Sequence, residues 1–502
     1  MKWLNLRMKI TPDYTHFLKF TKKGNLIPVY TEVLSDIDTP FSLLQRFKKE
    51  KHAFLLESIT GGEHIARYSF IGVSPRRIIK SKNRKIFVSK DGGHSKKQVE
   101  KDFLEVIKKE LLKYKYVEYE ELPRFCGGFV GFISYDSVRF FEKLPSSNPS
   151  DLNMSDALFM EVRDIYIFDH IRQRMILLTH VSVDEEGVHS GYREAVKRLE
   201  RMIEVLKKPL KTTGPQILGK TVPEGSFKSN FKKQDFLNMV KKTKRYISSG
   251  DIIQAVLSQR FQRISNVDDM EIYRWLRFIN PSPYMFYLRC NDHSLIGSSP
   301  EVFVRCENGV AELRPIAGTR KRGRDEKEDL LLEKELLSDA KECAEHLMLV
   351  DLGRNDLGRV CEYGTVKTPE FMVIEKYSHV MHIVSDVVGK MKKDKDVFDL
   401  IRACFPAGTV SGAPKIRAME IIDELEPVMR GPYAGCVGYF SYSGNLDTCI
   451  TIRTIVKKGR NIYIQAGAGI VADSNPVLEY KECINKAKAL NKAVDLAEAA
   501  GN

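Results

Sequence analysis

The sequence predicts an α+β fold in which helices cover mixed or antiparallel β-sheets. Residues 163–169 and 175–183 are rich in β-branched and aromatic side chains on either side of a polar turn, which predicts a β-hairpin. The apolar residues of 192–206 recur at helical spacing, which predicts an amphipathic helix. Many short strands of the C-terminal region meet at glycine turns, as in 435–444, and this disfavours regular βαβ winding.

The order of these elements predicts two regions joined by a linker. Residues 1–206 mix short strands with helices, and 207–229 contain three prolines and no apolar periodicity, as a linker does. The second region, 230–502, opens with an amphipathic helix over 234–248 and a strand from Ile252.

Composition excludes several classes of protein. The 502 residues are 43% hydrophobic and 29% charged, which is ordinary for a soluble globular chain. The net charge of +14 invites a nucleic-acid hypothesis, but the lysines form short scattered runs without zinc-finger spacing or a basic stripe. We therefore expect no nucleic-acid partner, and interpret the charge as solubility and attraction for anionic substrates.

The cysteines and the N-terminus indicate a reducing compartment. Nine cysteines include no C-x-x-C pair, and eight of them lie beyond residue 289. The N-terminal residues contain no uninterrupted apolar core of the kind a secretory signal has, and no apolar run approaches a membrane span. We expect free thiols, a cytoplasmic location and no membrane contact.

The run Phe-Pro-Ala-Gly-Thr-Val-Ser-Gly-Ala-Pro-Lys at 405–415 has the composition of a ligand-binding loop. Gly408 and Gly412 allow close backbone approach, and the hydroxyls of Thr409 and Ser411 can donate hydrogen bonds. The helix that follows would offer free N–H groups to an anion. From composition alone, an ordinary surface turn is the more frequent explanation.

Two predicted helices each carry glutamates three residues apart, namely Glu342 with Glu345 and Glu479 with Glu482. Such pairs lie about 60° apart around a helix axis, so both carboxylates can serve one cation. Oxygen ligands without a His or Cys cluster favour Mg²⁺. Solvated surface glutamates are the alternative, and spacing alone favours them.

A helical wheel supports that alternative. It places the first pair opposite an apolar stripe and the second pair away from Ile484, Ala487 and Asn491. The stripe opposite the first pair consists of Leu336, Leu337, Ala340, Ala344 and Leu347.

A glycine-rich run at 467–472 formally fits a dinucleotide fingerprint. A true fingerprint needs the helix to begin inside the glycines. Here four further residues intervene and the helix is predicted to start near Pro476, so a nucleotide site is rejected.

Several longer motifs, in a fixed order, resemble the chorismate-utilising enzymes and, among these, the anthranilate synthases. The resemblance is strong from about 230 to 495 and weaker before that. Its main motifs are 297–301, 314–320, 339–356, 376–382, 405–415 and 465–469, with 55–58, 66–72 and 127–131 in the first region. It implies two intimately packed halves with β-sheets in the centre and helices outside.

The resemblance also implies a reaction: chorismate and ammonia give anthranilate and pyruvate, the first committed step of tryptophan biosynthesis. Mg²⁺ held by Glu342, Glu345, Glu479 and Glu482 would compensate the ring carboxylate. The substrate-binding set that the matching positions imply is Gly318, Thr319, Tyr433, Arg453, Gly467 and Gly469, with the Thr409 hydroxyl completing it.

Four matching positions imply the chemistry. Glu301 would be the general acid for loss of the ring hydroxyl, and His382 would assist the elimination. Gln254 stands where water-using relatives carry a lysine, and a glutamine cannot take a proton. Ala317 stands where aminodeoxychorismate synthases carry a nucleophilic lysine, which favours anthranilate over that alternative product.

No glutaminase motif is present, so ammonia would come from solution or from a separate glutamine amidotransferase subunit. The resemblance further implies feedback inhibition by L-tryptophan at a site made of Glu57, Ser58, Pro283, Tyr284 and Met285. A turn between core strands is the alternative for these residues. A tryptophan-sensing relative without catalysis is a further alternative for the whole chain.

Overall fold

Two large antiparallel β-sheets form the centre of the computed structural model. It describes residues 8–58, 67–90, 92–93, 95–98, 101–210, 222, 224–377 and 380–501. Helices lie on the outer faces of the sheets, so the predicted α+β class is confirmed.

The described strands are β1 Leu26–Leu34, β2 His52–Glu57, β3 Tyr68–Val73, β4 Arg77–Lys82, β5 Lys85–Lys90, β6 Lys96–Gln98, β7 Gly128–Ile133, β8 Ala157–Val162, β9 Ile165–Asp169, β10 Arg174–Ser182, β11 Lys228–Ser229, β12 Gln254–Ile264, β13 Tyr284–Cys290, β14 His293–Ser299, β15 Val302–Glu307, β16 Val310–Leu313, β17 Ile316–Lys321, β18 Val373–Lys376, β19 Val380–Val384, β20 Val387–Lys390, β21 Gly412–Ala413, β22 Cys436–Ser441, β23 Leu446–Ile450, β24 Thr454–Lys458 and β25 Asn461–Ile470.

The described helices are α1 Tyr14–Phe20, α2 Pro40–Arg46, α3 Phe103–Leu111, α4 Val183–Glu186, α5 Val188–Lys207, α6 Lys233–Ser248, α7 Asp269–Ile279, α8 Glu326–Ser338, α9 Ala340–Gly358, α10 Val397–Cys404, α11 Lys415–Leu425 and α12 Pro476–Gly501. Short 3₁₀ helices cover Tyr135–Phe140 and Gly408–Val410.

The first sheet has the order β1-β10-β9-β3-β2-β13-β14-β24-β25-β12-β11, and β21 also pairs with β12. The second sheet has the order β20-β16-β15-β23-β22-β7-β8-β4-β5-β6, and a small third sheet has the order β17-β19-β18. Both large sheets therefore contain strands from before and after the predicted linker. The two regions join where Glu57 of β2 pairs with Met285 of β13 and where β7 pairs with β22.

The core has three main layers. One apolar cluster fills the space between the two large sheets, with Phe132 and Phe286 among its members. A second lies between the first sheet and helices that include α5, α7 and α12. A third lies between the second sheet and helices that include α3, α9 and α10. A layer of apolar side chains thus lies between the two sheets and between each sheet and its helices, as a layered α+β fold requires.

Most of the predicted elements are confirmed with shifted ends. The hairpin is β9 and β10, the helix over 192–206 lies within α5, and the helix over 234–248 lies within α6. The strand expected from Ile252 begins at Gln254. Of the predicted linker, 211–221 and 223 lie outside the described residues, and Lys228–Ser229 forms a strand that pairs with β12.

Two expectations from composition can be compared with the structure. All nine cysteines are free thiols, as predicted, and eight of them are buried. Among the residues that the structure describes, none of the helices is both long enough and apolar enough to cross a membrane.

Candidate active site

The predicted site residues lie on elements that meet beside the edge of the first sheet. Strand β12 supplies Gln254, and the adjacent strand β25 supplies Gly467 and Gly469. Helix α9 supplies the first glutamate pair and helix α12 supplies the second. The small third sheet supplies Gly318, Thr319 and His382. The loop 405–414 and the segments that carry Glu301, Tyr433 and Arg453 complete the site.

The loop 405–414 is fixed by its contact with β12. The backbone of Gly412 has φ +141°, and a Cβ there would lie only 2.9 Å from both Ala255 Cα and Ala418 Cβ, so only glycine allows this approach. The Ser411 hydroxyl donates to the Ala407 carbonyl at 2.8 Å and is fully buried. The Ser411 hydroxyl is therefore a donor, as its residue type predicts, and the bond that it donates closes the loop.

Glu301 is a buried carboxyl between β14 and β15. Burial raises its pKa to about 8, against the smaller lowering effects of the Thr409 hydroxyl and the Lys486 charge. The Thr409 oxygen is buried and forms no hydrogen bond of good geometry within the described residues, yet it lies near enough to affect the carboxyl. The Glu301 side chain is therefore protonated at neutral pH and can act as an acid.

His382 faces its strand partner Thr319 across β17 and β19. Its Nδ1 lies 2.9 Å from the Gly318 carbonyl and 3.0 Å from the Thr319 hydroxyl. The carbonyl can only accept, which assigns the proton to Nδ1 and leaves the Nε2 lone pair free. Burial and the charge of Arg453 lower the His382 pKa, so the ring is a neutral base at neutral pH.

Arg453 follows β23 and has a backbone φ of +49°, a strained left-handed conformation for a residue with a Cβ. Its guanidinium forms no hydrogen bond or ion pair with the residues that the structure describes. By surface area Arg453 is half-buried, yet its charged group lies deep enough that burial lowers its pKa. An unpaired, partly desolvated guanidinium is a strong attractor for a carboxylate.

The Tyr433 hydroxyl lies in the same region. A Cβ on Gly467 would lie 2.7 Å from that hydroxyl, and a Cβ on Gly469 would lie 2.5 Å from Gln254 Nε2. Both glycines therefore leave the space that a side chain would fill, which supports their assignment to the substrate-binding surface.

The charges of neighbouring glutamates reach both Glu345 and Glu479, but within the described residues the four side chains do not form a closed ligand set. Gln254 Nε2 donates to Glu345 Oε1 at 2.9 Å. Burial raises the pKa of Glu345, and the charges of Glu342 and Glu482 raise it further. Burial and the charge of Glu482 likewise raise the pKa of Glu479. Like charges that raise the pKa of a neighbouring carboxyl mark a site that a cation would stabilise.

Cationic side chains already compensate part of this charge. Arg320 Nη1 lies 3.2 Å from Glu342 Oε1, and Lys486 Nζ lies 2.6 Å from Glu482 Oε1. Lys486 also donates to the Gly467 carbonyl at 3.0 Å. Lys486 was not among the predicted site residues, although its position one turn after Glu482 on α12 is a signal that the sequence contains.

In the described part of the chain, no three His, Cys, Asp or Glu side chains are close enough to hold a metal ion by themselves. The oxygen donors suit Mg²⁺ in kind, since Mg²⁺ binds to one or two carboxylates and keeps its other positions for water or a ligand oxygen. The fit is to an open magnesium site that a bound anion would complete.

The surface alternative for the first glutamate pair is wrong. Glu345 is half-buried, whereas Leu337 and Leu347 of the expected core stripe are 40% and 44% exposed. The physical reason is that the stripe does not lie on one helix. Asp339 ends α8 and caps α9 by accepting from the Lys341 and Glu342 amides at 3.1 and 3.2 Å, so the wheel is interrupted there.

The five residues predicted for tryptophan lie together, in a second site. A cavity of about 390 Å³ opens between the two sheets, and its wall includes Glu57, Ser58, Pro283, Tyr284 and Met285. The Glu57 carboxylate is buried, lies 2.8 Å from Arg277 Nε and accepts from the Tyr273 hydroxyl. Tyr284 donates to Asp447 Oδ1 at 2.8 Å. A buried carboxylate in an aromatic-lined cavity fits an amphipathic ligand.

Comparison with known proteins agrees with this geometry. The chorismate binding enzyme family model matches residues 51–492. The chain is 50% identical to anthranilate synthase component 1 of Acetivibrio thermocellus over 479 residues, covering 95% of this chain and 97% of the relative. It is 48% identical to the protein of the same name from Aquifex aeolicus, covering 96% and 97%.

A solved structure is similar over most of its length. The crystal structure of anthranilate synthase component I from Streptococcus pneumoniae superposes with a TM-score of 0.76 at 36% identity, covering 87% of this chain and 93% of that one. The chain belongs to the chorismate-binding enzyme family. Within that family, these relatives at 36–50% identity are named as component 1 of anthranilate synthase.

Proposed function

We propose that this chain is the subunit of anthranilate synthase that converts chorismate and ammonia to anthranilate and pyruvate. The observation that carries the proposal is the unpaired Arg453 guanidinium, which acts electrostatically on the neutral base His382, in a site that also contains the protonated acid Glu301. A dicarboxylate that must lose both a hydroxyl and an enolpyruvyl group needs one binding cation, one acid and one base. The names of relatives that match nearly the whole chain support the same substrate.

Chorismate would bind by its two carboxylates. Arg453 and the Tyr433 hydroxyl would hold the enolpyruvyl carboxylate, and the space left by Gly467 would admit it to the backbone. Glu342, Glu345, Glu479 and Glu482 would hold Mg²⁺, which when bound neutralises the ring carboxylate. Lys486 and Arg320, which now pair with two of these glutamates, would limit the repulsion before binding.

The first step adds ammonia at C2 of the ring. Both ring double bonds shift, C1=C2 to C1=C6 and C5=C6 to C4=C5, as the C4–O bond breaks, and Glu301 gives its proton to the departing hydroxyl, which leaves as water. The added nitrogen then loses a proton to solvent, which leaves a neutral amine. Gln254 cannot activate water, because its Nε2 is committed to Glu345 and an amide takes no proton.

The second step makes the ring aromatic. His382 Nε2 takes the proton from C2, the enolpyruvyl ether bond breaks, and the side chain leaves as pyruvate after it gains a proton. The Gly318 carbonyl keeps the proton of His382 on Nδ1 and so keeps Nε2 available.

The product separates this proposal from its nearest alternative. Ala317 begins the irregular pairing of β17 with β19 and has no amine with which the enzyme could attack C2 itself. Aminodeoxychorismate is therefore disfavoured. Formation of anthranilate from chorismate, ammonium salt and Mg²⁺, followed by its fluorescence, tests the proposal directly.

The assay has matched controls. Anthranilate formation is expected to stop with EDTA and with Glu345→Ala, whereas Glu362→Ala, a glutamate on a surface turn, should keep the rate. Consumption of chorismate without anthranilate would support the aminodeoxychorismate alternative, and no consumption at all would support a binding-only protein.

Two partners belong to the proposal. A glutamine amidotransferase subunit would supply ammonia, since the relatives are named as one component of a synthase. L-Tryptophan would bind the cavity between the sheets, with its amino group at Glu57 and its indole among Pro283, Tyr284 and Met285. Loss of activity on addition of tryptophan tests this site, and an unchanged rate at saturating tryptophan would exclude it.

A further inference from the structure

Arg430 is the most deeply buried charged side chain beside the site, and nothing in the proposed chemistry uses it. It follows α11 by a few residues and is only 2% exposed. Its Nε and Nη2 donate to the two oxygens of Glu426 at 2.9 and 2.6 Å, as a bidentate pair. Such a pair is costly to bury, so the two further hydrogen bonds that Arg430 donates require an explanation.

Those further bonds go to the backbone of the site. Arg430 Nη1 donates to the Val410 carbonyl at 2.8 Å, one residue after Thr409. Nη2 also donates to the Val256 carbonyl at 2.6 Å, two residues after Gln254. Val256 is the cross-strand partner of Gly469. One guanidinium thus joins the loop of Thr409 to the strand pair that carries Gln254 and the binding glycines.

Glu426, the ion partner of Arg430, and the nearby ring of Tyr433 connect Arg430 with the rest of the site. Glu426 Oε1 accepts from the amide and the hydroxyl of Ser258, both at 2.8 Å, and Ser258 is the cross-strand partner of Gly467. The Arg430 guanidinium lies 5.6 Å from the centre of the Tyr433 ring. The buried pair of Arg430 and Glu426 therefore contacts either the residue itself or a bonded or cross-strand neighbour of five site residues, namely Gln254, Thr409, Tyr433, Gly467 and Gly469.

We propose that Arg430 is a positioning residue for the reaction, which sets the place of Thr409 beside Glu301 and of Tyr433 beside Gly467. The expected effect on the reaction rate rests on the proposed function, whereas the expected effect on the contact between the loop 405–414 and β12 does not. Lysine keeps the charge of Arg430 but cannot reach Glu426, Val256 and Val410 at once, because it lacks the planar fork.

The test compares Arg430→Lys with Arg77→Lys. Arg77 is an equally buried arginine on β4 that pairs with Glu161 at 2.7 Å and lies outside the site. We expect Arg430→Lys to lower kcat about 10- to 100-fold, as small displacements of catalytic groups do, and Arg77→Lys to lower thermal stability with kcat kept. Arg430→Lys should also shift the basic limb of the pH–rate profile, because it displaces Thr409 from Glu301. In a chain that already carries Thr409→Val, adding Arg430→Lys should cause no further shift of that limb.

A measurement without turnover keeps the two proposals separate. The Val256 amide donates to the Ser411 carbonyl at 2.8 Å, so its hydrogen exchange reports the contact between loop and strand. Arg430→Lys should speed this exchange about tenfold or more while Arg77→Lys leaves it unchanged. If Arg430→Lys does not fold, Glu426→Gln is measured in its place, since it keeps the side-chain shape.

The outcomes are distinct. Faster exchange in Arg430→Lys, together with an unmodified chain that makes no anthranilate, would support the positioning role and overturn the proposed function. Unchanged exchange and an unchanged pH profile in Arg430→Lys, with only a lower melting temperature, would overturn the positioning role and leave Arg430 as a structural ion pair.

Discussion

Replacement of Glu301 by glutamine should change stability and catalysis in opposite directions. The folded chain keeps the Glu301 proton up to a pKa of about 8, whereas the unfolded chain loses it near the usual 4.5. The contribution of Glu301 to stability is therefore fully present below pH 4.5 and falls as pH rises to 8, by about 1.4 kcal/mol for each pH unit, or about 3 kcal/mol at pH 7. Glu301→Gln removes this cost, because the amide has no charge to bury.

The assay is urea unfolding of the variant and the unmodified chain at pH 4.5, 5.5 and 7. Subtracting the two free energies of unfolding cancels every group that the substitution leaves alone. We expect the variant to gain about 3 kcal/mol relative to the unmodified chain between pH 4.5 and 7. Glu200→Gln, on the exposed face of α5, is the matched control and should show no such gain.

The same variant should lose its catalytic acid. We expect kcat to fall about 10²- to 10⁴-fold, and the unmodified enzyme to show a basic limb near pH 8 when rates are expressed per free ammonia. If the difference in free energy of unfolding between Glu301→Gln and the unmodified chain stays constant with pH, Glu301 is not a buried carboxyl that stays neutral in the folded chain. Normal turnover by Glu301→Gln would refute its role as the acid.

Three further predictions concern the binding surfaces. Arg453→Gln should raise the KM for chorismate about 10- to 100-fold, since a charge-assisted carboxylate contact is lost, as measured by initial rates. Gly467→Ala should abolish chorismate binding in calorimetry, because its Cβ would press on the Tyr433 hydroxyl, whereas Gly358→Ala, with open space around its Cβ, should bind normally. Ser58→Phe should fill the cavity between the sheets and raise the tryptophan concentration for half inhibition at least about tenfold; unchanged inhibition would place tryptophan elsewhere.

Local patterns in the sequence were enough to predict the hairpin β9–β10, helices α5 and α6, and the start of α12 at Pro476. They did not predict which face of α9 is buried, because a helical wheel drawn from Leu336 to Leu347 crosses the cap at Asp339 and so combines residues of two helices. An aspartate there is a recognised helix-start signal, but apolar residues on both sides concealed it. Periodicity alone therefore predicted that the first glutamate pair faces solvent, whereas the structure places Glu345 half-buried. Glu482 of the second pair is exposed, as the periodicity predicts.

The site could be predicted as a set of residues but not as an arrangement. Glu301, His382 and Arg453 matched family motifs, whereas the neutral state of Glu301 depends on burial that only the packed sheets supply. Arg430 was missed because its contacts reach Val256 and Val410 across long stretches of chain, and no local spacing indicates such contacts.

The interleaving of the two sheets has a consequence for how such chains can be rearranged. Strand β2 completes its hydrogen bonds on β13, and β7 completes its own on β22, so each region supplies the neighbour that the other lacks. A crossover at 207–229 between two related genes would join strands that had not been selected to pair. The predicted linker is the shortest route between the regions in sequence, yet a crossover there would separate strands that pair, and exchange between relatives is expected to preserve both regions together.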